Sequence, residues 1–187
     1  MNRLEEIRRV EASAELLHSE AEVERAIVRL AAEIGEAIAD SNPVVMTILT
    51  GGIVFAGKLL THLRFPLELD AIGATRYRGR TEGGETRWRL EPGLSLEGRT
   101  VLLVDDILDE GVTLAEVRKH CLELGAARVL IAVLVDKDLG KEKPCRADFV
   151  GLVTENRYLF GYGLDYKGYL RNAAGIYACA GAESRGT

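Results

Sequence analysis

"VLLVDDILDEGVTL", residues 101–114, runs from four apolar residues into four acids within six positions, Asp105, Asp106, Asp109 and Glu110, and then into Gly111 and Thr113. Like charges this close repel, so the cluster calls for a cationic or hydroxyl-rich counterpart. An apolar run that delivers polar residues into a glycine turn opening a helix reads as strand–turn–helix in an open α/β sheet, where ligands bind at the carboxyl ends of strands. Successive N–H groups at such a helix start form a concavity for a phosphate. Gly111 permits close approach, and Thr113 can donate its hydroxyl. Acids just ahead of a phosphate site make sense if the ligand also carries vicinal hydroxyls, or if Mg²⁺ screens the charge. A sugar phosphate satisfies both conditions. The plainer alternative is a solvated acidic turn capping a helix, because Asp and Glu favour helix N-termini.

The flanking sequence supports the α/β reading. "PVVMTILT" (43–50) is a continuous apolar, β-branched run expected to be a buried parallel strand, and "GGIVFAGKLLTHL" (51–63) opens a helix on a glycine pair. "LELDAIGATRY" (67–77) reads as the next strand, and 78–98, polar and rich in Gly and Arg, as a loop with hairpin character. "TLAEVRKHCLELGA" (113–126) reads as a helix with Gly125 near its end. "RVLIAVLVDK" (128–137), "DFVGLVTE" (148–155) and "YLFGYGLDY" (158–166) read as strands. Residues 4–40 read as helical, with Val23, Ala26, Ile27, Leu30, Ala31 and Ile34 at helical spacing, and Ser19 with Glu22 reads as a capping box. Asn42-Pro43 breaks that helix.

Alternating strands and helices predict a mostly parallel, right-handed sheet flanked by helices. The expectation is a single domain over 1–187, with an N-terminal helical segment at about 4–40 and a core at about 41–175. The helical N-terminus and the tail after Leu170 are expected to form a small cap over the sheet.

Composition narrows the function classes. A net charge of −5 speaks against non-specific nucleic-acid binding, which needs clustered Lys and Arg. The three cysteines, Cys121, Cys145 and Cys179, form no C-x-x-C pair, and the three histidines have no metal-site spacing, so a disulfide framework or zinc site is not expected and a reducing cytoplasm is. "MNRLEEIRRV" lacks an apolar core, so no secretory signal is expected; no apolar run reaches the ~18 residues of a membrane span.

"VLLVDDILDEGVTL" resembles the phosphoribosyl-pyrophosphate motif of type I phosphoribosyltransferases. "VLVDK", "ADFVGLVTENRYLFGYGLDYKGYLRN" and the upstream "LTGGIVFAG" resemble, in the same order, the hypoxanthine-guanine phosphoribosyltransferases, over about residues 40–175. The resemblance implies the type I phosphoribosyltransferase-like fold. It also assigns roles residue by residue. Asp105 and Asp106 match the acidic pair on the ribose 2- and 3-hydroxyls, partly through metal; the family's first position is often Glu. Asp109 matches the general acid/base facing purine N7. Glu110, Gly111, Val112 and Thr113 match the loop around the 5-phosphate. Lys137 matches the reader of the oxygen at purine C6; an ammonium donates hydrogen bonds and accepts none, which favours a 6-oxopurine over adenine.

In the same way Tyr158 matches the aromatic that stacks on the purine, and Leu159 offers its backbone to the base edge. Asp165 matches a carboxylate for a second Mg²⁺, and Arg171 a pyrophosphate-binding arginine whose fork suits phosphate oxygens. Gly51 and Gly52 match the loop that receives pyrophosphate. Thr50 stands where many members carry Lys or Arg, and the peptide before the first glycine, here Thr50–Gly51, can be cis in the family. "ATRYRGRTEGGETRW" (74–88) lies where the family has its lid, with Arg76-Tyr77 the nearest match to the usual Ser-Tyr, Gly79, Gly83 and Gly84 as hinges, and Arg76, Arg78, Arg80 and Arg87 within reach of pyrophosphate.

The implied activity is Mg²⁺-dependent purine salvage: hypoxanthine or guanine and phosphoribosyl pyrophosphate give IMP or GMP and pyrophosphate. The family implies a homodimer or homotetramer, with no nucleic-acid or membrane partner. The alternatives are a xanthine-preferring phosphoribosyltransferase and an RNA-binding regulator on the same fold.

Overall fold

The computed structural model describes residues 2–76 and 86–180. Its centre is built by strands buried on both faces, as parallel sheets require. β2 (Val44–Leu49), β5 (Thr100–Leu108) and β6 (Arg128–Asp138) carry near-continuous apolar runs. Alternate residues feed opposite cores. Val45, Leu102, Val104, Leu130, Ala132 and Leu134 join one; Val44, Met46, Val101, Leu103, Val129, Ile131 and Val133 join the other.

Helix α2 (Glu20–Ile38) and helix α3 (Gly52–Leu60) close the first core with Val23, Ile27, Leu30, Ile34, Phe55 and Leu59. Helix α4 (Val112–Glu123) closes the second with Leu114, Val117 and Cys121.

The main sheet has the order β4-β3-β2-β5-β6-β7, with β3 (Glu68–Arg76), β4 (Thr86–Leu90) and β7 (Phe149–Glu155) completing it. Only β4 runs antiparallel, against β3. Of the loop expected over 78–98, residues 78–85 lie outside the described residues, and 86–90 form β4 on the edge of the sheet. The chain winds outward from β2 to β4 and returns beside β2 as β5. β2 and β5 thus flank the topological switch point, where α/β sheets bind ligands.

Two sequence expectations are corrected. The helix expected over 4–40 is interrupted: α1 (Arg3–Ser13) is followed by β1 (Glu15–Ser19), and only then by α2. β1 pairs antiparallel with β9 (Gly175–Ala178), which pairs in turn with β8 (Leu159–Phe160). Long-range pairing overrides the local helix preference there. The capping box at Ser19 forms, with the Ser19 N–H donating to Glu22 at 2.8 Å. The small cap expected from the two termini is this three-stranded sheet with α1 packed on it through Ile7, Val10, Phe160, Tyr166 and Cys179.

The strand expected over 158–166 is only Leu159–Phe160. Beyond it Gly161 (φ 102°), Tyr162 (φ 51°) and Gly163 (φ 108°) turn the chain back over the end of the main sheet. No helix among the described residues is long and apolar enough to cross a membrane.

Candidate active site

β5 extends past the apolar run and carries Asp105 and Asp106 as strand residues at its carboxyl end. Asp106 is buried and Asp105 half-buried, and the Asp106 N–H donates to Asp105 Oδ1 at 3.0 Å. Desolvation, and then the charge of Asp106, push the Asp105 carboxyl well above its ordinary range. Desolvation raises Asp106 to about 6 against the opposing pull of Arg171. Two carboxyls held this way favour a shared proton or a nearby cation.

Two segments converge on this pair. A Cβ on Gly51 would lie 2.3 Å from Asp106 Oδ2, and one on Gly52 2.6 Å from the Val104 carbonyl. A Cβ on Gly163 would lie 2.2 Å from the Gly51 carbonyl. The glycines are thus the condition for the β2–α3 loop and the 161–171 segment to close on Asp106. The cis peptide of the first loop is Leu49–Thr50, one bond ahead of the Thr50–Gly51 bond that the resemblance brings up. Gly163 was missed in the sequence; the spacing Gly161-Tyr162-Gly163, inside a stretch read as a strand, was the available signal for a close backbone approach.

Arg171 ties the converging pieces together. Its guanidinium donates to the Gly163 carbonyl, lies 2.5 Å from Asp165 Oδ1 and 3.7 Å from Asp106 Oδ2. Asp165 also accepts the Gly168 N–H at 2.6 Å. Two of the three expected metal ligands therefore share one cation.

The turn expected to cradle a phosphate opens its helix one residue earlier than expected. α4 begins at Val112, and its cap residue Gly111 adopts φ 77° with no side-chain cap. The first amides of a helix lack intrahelical partners, so those of Val112, Thr113 and Leu114 are free to meet an anion. The side chain of Glu110 turns outward to Lys141 at 3.0 Å, which leaves only its main chain for the cradle.

Asp109 lies between the acid pair and the cradle in sequence, and its Oδ2 accepts from Lys137 Nζ at 2.8 Å. Lys137 ends up nearly buried at the tip of β6 while Asp109 stays open to solvent. Tyr158, half-buried, packs edge-on against Tyr166, with centroids 5.5 Å apart, rather than against the Asp109–Lys137 pair. The Leu159 side chain is buried in the core, so only its main chain remains for a ligand. Of the lid residues, Tyr77, Arg78, Gly79, Arg80, Gly83 and Gly84 lie outside the described residues; Arg76 and Arg87 stand at the ends of β3 and β4.

The donors gathered here are carboxylate oxygens, which suit a hard cation. Among the described residues no three His, Cys, Asp or Glu side chains are grouped as a complete metal site. Mg²⁺ takes one or two protein carboxylates and completes its shell with water and substrate phosphates, a demand that carboxylate donors of this kind meet.

The family profile described as "Phosphoribosyl transferase domain" matches residues 13–167. A hypoxanthine-guanine-xanthine phosphoribosyltransferase of Tritrichomonas foetus is 37% identical over 158 residues, 84% of this chain and 86% of that one. The hypoxanthine-guanine phosphoribosyltransferase of Bacillus subtilis (strain 168) is 32% identical over 158 residues, 84% of this chain and 88% of that one. A crystal structure of a hypoxanthine phosphoribosyltransferase from Staphylococcus aureus superposes with a TM-score of 0.86 at 26% identity, covering 96% of each chain. The motif order, the switch-point site and these likenesses agree: the chain belongs to the phosphoribosyltransferase family, among the hypoxanthine-guanine phosphoribosyltransferases.

Proposed function

We propose that this chain joins hypoxanthine or guanine to the ribosyl group of phosphoribosyl pyrophosphate, giving IMP or GMP and pyrophosphate. The observation that carries the reading is the placement, along one strand end, of an acid pair, the Asp109–Lys137 pair and an uncapped helix start. These match in order a sugar's hydroxyls, a base and a 5-phosphate.

Asp105 and Asp106 hold the ribose hydroxyls. The α4 amides and Thr113 hold the 5-phosphate. Lys137 donates to the oxygen at purine C6, and Asp109 receives the purine proton as N9 attacks ribose C1. The N9–C1 bond forms as the bond from C1 to the pyrophosphate oxygen breaks, with inversion. The amides of Gly51 and Gly52 and the Arg171 guanidinium spread the charge that develops on pyrophosphate. Tyr158 and the main chain of Leu159 meet the base. Mg²⁺, held by Asp105, Asp106 and Asp165 with the substrate's own oxygens, would supply electrostatic stabilisation of the leaving group.

A spectrophotometric assay with each purine, phosphoribosyl pyrophosphate and Mg²⁺ tests the reading. Nucleotide formation from hypoxanthine and guanine is expected, and a folded sample that forms none from any base overturns it. The name of the Tritrichomonas foetus relative includes xanthine, so xanthine belongs in the assay as the second reading. Assembly as a homodimer or homotetramer is part of the proposal, supported by exposed apolar side chains such as Val28, Ile53 and Leu69. Sedimentation tests it. A cytoplasmic location is supported by three buried cysteines, none of them in a disulfide among the described residues.

A further inference from the structure

The parallel ladder between β5 and β6 ends at the pair Leu108–Asp136. The next residue of each strand is a member of the base-facing pair, Asp109 on one side and Lys137 on the other. At the point where that ladder stops, a third residue crosses it. Lys143, from the loop between β6 and β7, places its Nζ 2.7 Å from the Leu108 carbonyl, 2.6 Å from the Lys137 carbonyl and 2.6 Å from Asp136 Oδ1.

An ammonium has three N–H donors and no acceptor, so this set of partners saturates it. The Lys143 side chain is only 11% exposed. A lysine this sheltered is retained where it is fully paired, since an unpartnered buried charge is costly. Its acceptors are the main chain just before Asp109, the main chain of Lys137 and the side chain just before Lys137. The same loop touches the cradle again through Cys145, whose Sγ lies 3.2 Å from the Gly111 carbonyl.

We infer that Lys143 is a positioning residue for the purine: it fixes the separation of Asp109 and Lys137 by bridging the two strand ends that carry them, without touching substrate. This rests on the base-reading roles proposed for that pair. The ribose pair lies inside the laddered part of β5, where Asp105 pairs with Val133, and the phosphate amides belong to α4. Beside the cradle Lys143 places its Cβ next to Gly111, and Lys143→Met keeps that Cβ, so loss of the ammonium bears on the base rather than on the sugar donor.

The test is steady-state kinetics of Lys143→Met and Lys143→Arg, with each substrate varied in turn. In Lys143→Met the KM for hypoxanthine or guanine is expected to rise about tenfold, equivalent to about 1.4 kcal/mol. The KM for phosphoribosyl pyrophosphate should move less than about twofold on the same scale. Lys143→Arg, which keeps the charge and several donors, should recover most of the base KM. An unchanged base KM in Lys143→Met, or equal rises in both KM values, overturns the inference. If Lys143→Met does not melt cooperatively, the same KM ratio is read on Asp136→Asn, which keeps an acceptor but removes the charge. A selective base effect there supports the bridge, and its absence overturns it. Wild-type turnover, measured first, separates the two claims: an inactive wild type sinks the proposed activity, whereas an active wild type with an indifferent Lys143 sinks only the bridge.

Discussion

Lys137 and Asp109 lie 2.8 Å apart as an ion pair of unequal burial: the lysine side chain is 9% exposed and the aspartate 47%. A sheltered ammonium needs a permanent partner, whereas an open carboxylate can exchange its partner for a ligand. The pair therefore gives Lys137 a partner before a base arrives and leaves Asp109 able to turn to the purine. Asp109→Asn should lower turnover by about 10²–10⁴-fold, the usual contribution of a general acid or base. The KM for phosphoribosyl pyrophosphate should stay within a few-fold. Lys137→Met should instead raise the base KM and erase discrimination between 6-oxopurines and adenine. Turnover of Asp109→Asn within a few-fold of wild type removes it from the proton-transfer role.

Gly163 is expected to tolerate no side chain. At φ 108° it sits in a region that L-residues rarely enter, and an added Cβ would fall 2.2 Å from the Gly51 carbonyl. Gly163→Ala must push the 161–171 segment away from the β2–α3 loop, which separates Arg171 and Asp165 from Asp106. The expected outcome is a loss of turnover of at least about tenfold, together with a stability loss of roughly 1–3 kcal/mol from backbone strain. Gly168, with φ 88° and open space around its Cβ position, provides the control, because Gly168→Ala carries the backbone strain without the collision. Equal activity of the two variants would show that the close approach does not matter.

Glu24 on α2 accepts from Lys58 Nζ of α3 at 2.6 Å and from the Tyr162 hydroxyl at 2.6 Å, which links both helices to the segment over the site. The Lys58 hydrogen bond, and then the Tyr162 one, hold the Glu24 carboxyl below its ordinary range. A carboxyl whose pKa is depressed on folding adds stability that is present above its unfolded value, about 4.3, and is lost as pH falls through the folded one. The melting-temperature gap between wild type and Glu24→Gln should therefore close as the sample is acidified below about pH 4. Tyr162→Phe should cost about 0.5–1.5 kcal/mol near neutral pH, the worth of a typical hydrogen bond. A gap that widens on acidification would contradict the assigned charge state.

The sheet was legible because its central strands are apolar on both faces and glycine turns follow β2 and β5. The acid cluster could be placed because a strand can project charges only where it leaves the core. The cap was less legible. "ELLHS" (15–19) follows an Arg- and Glu-rich helix, and its strand exists only through pairing with "GIYA" (175–178), about 160 residues away, which no local pattern reports. "YLFGYGLDY" alternates in composition like a strand, but its glycines serve turns and a collision-free approach. Lys143 left no trace in the sequence, since a lysine in "KEKP" reads as solvated until the fold brings two carbonyls to it.

Arg171 lies between Asp106 and Asp165, 3.7 Å from one and 2.5 Å from the other, so a cation and pyrophosphate arriving in the proposed reaction compete with these pairings. Removal of divalent ions by chelation should abolish turnover, and added Mg²⁺ should restore it. Asp165→Asn removes one of the two carboxylates competing for Arg171 and one of the proposed metal donors. It should raise the Mg²⁺ concentration for half-maximal activity while leaving the base KM near wild type, because Asp109 and Lys137 pair on the other side of the strand end. Arg171→Lys keeps a cation but loses the planar fork, so it should weaken pyrophosphate in the reverse reaction more than it shifts the Mg²⁺ requirement. If Asp165→Asn shifts only the base KM, Asp165 serves the purine rather than the metal, and its bond to Arg171 is structural.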